Sequence, residues 1–68
     1  MSATYKSIEL VGTSVESYAE ATRTAIRRAS KTMRNLKWFE VEEMRGHIED
    51  GEVDLFQIRI TAWFELED

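Results

Sequence analysis

The residues able to do chemistry in this chain are few, and they fall in its second half: Trp38, Arg45, His47, Gln57 and Trp63. Trp38 offers a wide flat face for stacking a planar ligand. Gln57 carries a donor and an acceptor side by side, a pattern that pairs with an imide-like ring edge. The Arg45 guanidinium presents a fork of donors suited to a phosphate. A planar heterocycle with an imide edge and a phosphate tail would use all three. Each residue also has a plainer reading. An outward tryptophan in a small oligomer packs against its neighbour, a strand glutamine is commonly solvated, and an arginine among acids is a surface ion-pair partner.

Other chemistries find less support. The chain has one histidine and no cysteine, so no metal site and no thiolate nucleophile is read from it. No nucleophile–base–orienter set and no glycine-rich phosphate loop before a helix can be traced, which points to a binding protein and not an enzyme. The acids of "EVEE" read as a solvated face, although stacked copies in an oligomer could attract cations.

Whether Trp38, Arg45 and Gln57 share a surface depends on strand parity. Residues 53 to 66 alternate cleanly, with Phe56, Ile58, Ile60, Ala62, Phe64 and Leu66 on one side and Gln57, Arg59, Thr61, Trp63 and Glu65 on the other. The apolar set is the core face. In the strand beginning near Lys37, Phe39 and Val41 are the natural partners of that face, which sends Trp38 outward. Met44 and Ile48 break the parity. A one-residue bulge near Glu42 and Glu43 restores it and turns Arg45 and His47 outward with Trp38. The two strands are joined at Asp50-Gly51, a strong hairpin signal.

The first half must position this hairpin. A strand is read over about Thr4 to Val11, from the alternation of Ile8 and Leu10 with Ser7 and Glu9, ended by Gly12. Thr13 and Glu16 have the spacing of a capping box. A helix then runs to about Met33, with Val15, Tyr18, Ala19, Thr22, Ala25, Ile26, Ala29 and Met33 as its buried stripe. Acids near its start and Arg27, Arg28, Lys31 and Arg34 near its end complement the helix dipole. Such a helix is about 30 Å long. Asn35 is a plausible left-handed stop. The fold class is α+β, in the order β-α-β-β.

The 68 residues make one domain, 1–68. A chain of this size buries only about 60% of its unfolded surface and commonly needs a staple. Without cysteines or a metal, oligomerisation is the staple left. A formal net charge of −4 and a pI of 4.9 argue against nucleic acid as a partner. No apolar stretch suits a signal peptide or a membrane span, and a cytoplasmic location is expected.

Taken together, "ELVGTS", the long helix, "LKWFEVEEMRGHIEDGEV" and "FQIRITAWFELE" resemble the dodecins, small flavin-binding proteins of bacteria and archaea. Arg45 followed by Gly46 is similar to the bacterial branch. The resemblance implies a three-stranded antiparallel sheet partly wrapped around one long helix, and a hollow homododecamer. It implies flavin pairs, each ring stacked between its neighbour and Trp38, with Gln57 on the pyrimidine edge and Arg45 near the ribityl phosphate. The ligand would be FMN, riboflavin or a product such as lumichrome. The role would be storage and sequestration, with tryptophan quenching the excited flavin. Some members also bind coenzyme A, and Lys6, Arg28, Thr32, Met33 and Arg34 fill that region here. Glu65 stands where some bacterial members carry an arginine, a departure that counts against coenzyme A. The alternatives are a purely structural homo-oligomer or a coenzyme A carrier without flavin chemistry.

Overall fold

The alternation of apolar residues in the second half makes a long hairpin, and the first half supplies one strand and one helix to it. The structure, a computed structural model, describes residues 2–67. The elements are β1 (Tyr5–Ser14), α1 (Tyr18–Ala29), β2 (Leu36–Glu49) and β3 (Glu52–Glu65). They form a three-stranded antiparallel sheet of order β1-β3-β2, with the helix on one face. The expected β-α-β-β class is the one observed.

Three boundaries differ from the sequence reading. Gly12 does not end β1, which pairs on through Thr13↔Gln57 and Ser14↔Phe56. Gly12 instead marks the point where the helix comes closest. A Cβ there would lie 2.3 Å from the Ala21 carbonyl oxygen and 2.9 Å from the Ala25 Cβ. Only a residue without a side chain fits beneath this turn of helix.

The helix is also shorter than expected, at 12 residues, which is about 18 Å. Thr13 and Glu16 do not form the cap. The Ser14 hydroxyl takes the amides of Glu16 and Ser17, and the Ser17 hydroxyl caps α1 by accepting from the Glu20 amide at 3.0 Å. Val15 therefore precedes the helix and is exposed. At the other end, tight bonds from Lys31 to Arg28 and from Thr32 to Ala29 wind the chain down before Met33. Asn35 adopts the expected left-handed backbone, φ 67°. The residues buried deepest on α1 are Ala21 and Ala25, the pair seated over Gly12. Ala21 was not on the expected stripe.

The hairpin follows its signal. Asp50 and Gly51 both have positive φ, 51° and 77°, the backbone of a two-residue turn whose twist matches the strands. Ile58, Ile60 and Ala62 of the central strand are buried beneath the helix, each isoleucine worth roughly 1.5–3 kcal/mol. Leu66 lies past the end of β3 and is exposed, so it does not join that face.

The helix packs on β1 and β3, and β2 is left uncovered. Phe39 and Val41 do pair with Ala62 and Ile60 on the helix side, as parity requires, yet they are 46% and 47% exposed. Met44 beside them is 55% exposed. These side chains and the flank of α1 line a groove of about 690 Å³.

Replacing Gly12 by Ala should cost at least about 2 kcal/mol in urea unfolding at fixed protein concentration, because a backbone carbonyl must move aside. An unchanged midpoint would contradict the close seat of α1 on β1.

Candidate functional site

Three bulges in the β2–β3 ladder set the site. Lys37 is an extra residue between the Leu36↔Phe64 and Trp38↔Trp63 pairs. Glu42 is extra between Val41↔Ile60 and Glu43↔Arg59, the bulge expected from parity. It turns Met44 toward Ile58 and puts Arg45 opposite Gln57 on the helix-free face. A third irregularity lies between His47 and Ile48, where Asp54 is extra on β3.

On the helix-free face the named residues gather at two ends. At one end is an aromatic platform. Trp38 lies 5.9 Å from Trp63, centroid to centroid, with the planes 18° apart. Tyr5 of β1 tilts against Trp38 at 4.8 Å. The Trp63 indole N–H donates to Glu40 Oε1 at 2.8 Å, which fixes that ring beside its neighbour. Trp38 remains 45% exposed, enough to offer a face to a planar ligand.

At the other end Arg45 Nε donates to Gln57 Oε1. The acceptor half of the Gln57 amide is thus occupied within the chain. With Val11, Glu43 and Arg59 the pair rims a depression of about 30 Å³, room for little more than a water.

Between the two ends runs a band of charge. Arg59 Nη1 donates to Glu9 Oε2 at 3.1 Å, and its Nε lies 3.7 Å from Glu43 Oε1. Its hydrogen bond to Glu9 raises the Arg59 pKa above the ordinary arginine value. The Thr61 hydroxyl donates to Glu42 at 3.1 Å. Gln57 and Trp63 are six residues apart on β3, so the two ends are separated by roughly 20 Å along the strand. One chain cannot bring Trp38 and Gln57 to the same ring.

This arrangement of one helix seated on two strands of a three-stranded sheet has counterparts among known proteins. The family model described as Dodecin matches residues 4–67. The chain belongs to the dodecin family. It is 46% identical over 68 residues to a dodecin from Thermus thermophilus, covering 100% of this chain and 99% of that one. The dodecin structure from Streptomyces davaonensis superposes with a TM-score of 0.95 at 41% identity, with 100% of each chain covered. That from Streptomyces coelicolor gives 0.92 at 47% identity, covering 97% of this chain and 94% of that chain.

The residues assigned to coenzyme A by the dodecin resemblance are only partly together. Thr32, Met33 and Arg34 line a groove of about 280 Å³ closed by the end of β3. Lys6 pairs with Phe64, a residue of that groove, and Arg28 sits in the last turn of α1 outside its lining. Arg34 is held 3.3 Å from Glu67, and Lys37 is 4.0 Å from Glu65. Two acids therefore already meet two of the cations nearest this groove.

Sequence reasoning missed three features of the aromatic end. Tyr5 comes from a different strand, and no periodicity joins it to Trp38. The Glu40–Trp63 bond crosses strands and needs the register. The Lys37 bulge, which makes Trp38 and Trp63 direct partners, has no marker residue.

Replacing Glu40 by Gln should shift the Trp63 indole N–H resonance toward that of a less polarised donor, with a stability change under about 1 kcal/mol at this exposed pair. A Trp63 resonance identical to wild type would contradict the bond.

Proposed function

We propose that this chain stores and sequesters a flavin, FMN or riboflavin, in a homododecamer, and that it does so by binding without turnover. The supporting observation is the division of the bare sheet face. Its stacking surface and its hydrogen-bonding end lie too far apart to meet one ring within a chain, yet they face the same way. A second copy that lays its Gln57 end against the first copy's Trp38 end completes a site.

The uncovered side of β2 supports the same reading. Phe39, Val41 and Met44 line an apolar groove beside α1, and a chain of 68 residues has a small core of its own. Burying that groove against another copy is the staple a domain of this size requires.

In the site each part has a separate task. Trp38 stacks on the isoalloxazine face, with Trp63 and Tyr5 holding its ring in place. Gln57 exchanges the Arg45 guanidinium for the imide edge of the flavin. Arg45, once released, is free to pair with a phosphate oxygen. An electron-rich indole in van der Waals contact with the excited ring donates an electron to it, and return of that electron restores both partners. The cycle quenches fluorescence and consumes nothing. Coenzyme A as a further ligand is favoured by the groove at Thr32 to Arg34 and opposed by Glu65 and Glu67.

Titration of FMN with the purified particle should quench flavin fluorescence and saturate at about one flavin per chain. Trp38→Ala should weaken binding at least about tenfold, since it removes both area and stacking. No quenching by an assembled wild-type particle would sink the flavin reading and leave the face as an interface only. Twelve chains of charge −4 carry −48, so raising ionic strength should also slow subunit dissociation. Dissociation that is indifferent to salt would count against that assembly.

A further inference from the structure

The third bulge of the hairpin has no part in the flavin reading, yet it changes the chemistry at the far end of the sheet. His47 and Glu49 are two residues apart on β2 and point the same way. On β3, His47 pairs with Leu55 and Ile48 with Val53, which leaves Asp54 as the extra residue. A bulge re-aims the side chain it carries. Here it brings the Asp54 carboxylate to the imidazole, with Nδ1 and Oδ1 at 2.9 Å. One ligand atom from each of His47, Glu49 and Asp54 then lies within 4.8 Å of the others.

We propose that His47, Glu49 and Asp54 form a site for a divalent transition-metal cation of the zinc class. One nitrogen and two carboxylate oxygens are three of the four ligands such an ion takes, and water supplies the fourth. Ligand atoms around a tetrahedral zinc lie about 3.4 Å apart, at bond lengths near 2.0–2.2 Å. Small side-chain rotations bring the triangle to that size, opening the 2.9 Å edge between His47 and Asp54 and drawing Glu49 in, and the ion takes the place of the hydrogen now shared by His47 and Asp54.

Two further features favour a cation here. The segment 46–58 contains Glu49, Asp50, Glu52 and Asp54 and no lysine or arginine, so the tip of the hairpin is strongly negative. The turn at Asp50-Gly51 is a short, defined one, so the strands that carry the three ligands are already held in register. The imidazole decides the class of ion. Calcium and magnesium take oxygen ligands, and one nitrogen among three donors favours zinc, nickel or cobalt instead.

The sequence concealed this cluster. A single histidine without cysteines gave no ligand pattern, and Asp54 joins it only because the ladder slips by one residue.

The test is calorimetric titration of zinc into the tag-free, chelator-treated full chain, independent of any flavin. Saturation at about one ion per chain is expected, with a midpoint below about 100 µM. His47→Ala and Asp54→Asn should each weaken it at least about tenfold, while calcium in excess leaves the zinc curve in place. All three side chains are exposed, and circular dichroism of the variants checks that the fold is retained. Zinc binding unchanged in His47→Ala, no saturable binding by wild type, or displacement of zinc by calcium would each overturn the assignment.

Discussion

A helix of 12 residues cannot cover a sheet whose hairpin strands run to 14, and its seat is fixed by contact with one glycine. Ala21 and Ala25 press onto Gly12, drawing α1 over β1 and the central strand. Ile58, Ile60 and Ala62 are buried by that choice, and β2 is left bare on both faces. The exposed apolar side of β2 and the open opposite face of the sheet are two results of one packing constraint.

The helix-free face acquires its pattern from the bulges. Each extra residue shifts the alternation, so the side chains that matter are aimed by local breaks in the ladder. Glu42 brings Arg45 opposite Gln57, Lys37 makes Trp38 and Trp63 partners, and Asp54 reaches His47. The charge band around Arg59 lies between the aromatic and amide ends. The chain belongs to the dodecin family, and its bare face holds an aromatic end and an amide end that one chain does not bring together.

Much of this was legible in the residues. Strict alternation from Phe56 to Phe64 placed the core face. The lost parity after Val41 located a bulge, and Asp50-Gly51 located the turn. What misled was local grammar read without tertiary contacts. Gly12 looked like a strand end because glycine is a breaker, whereas it is a point of close approach. Thr13 and Glu16 matched a capping box, but pairing of Thr13 and Ser14 with β3 held those residues in the strand and passed the cap to Ser17. Bulges at Lys37 and Asp54 left only a short signal, since each shifts a single apolar residue at a strand end, Leu36 against Phe39 and Val53 against Phe56.

The proposed division of a flavin site between copies is tested most directly by complementation. Trp38→Ala and Gln57→Ala chains, each impaired alone, would be unfolded together, co-assembled and titrated with FMN. A site that takes its tryptophan from one copy and its glutamine from another predicts recovery of roughly a quarter of the wild-type quenching capacity, because random pairing leaves that share of sites intact. Quenching by the mixture no better than the mean of the two separate variants would contradict it.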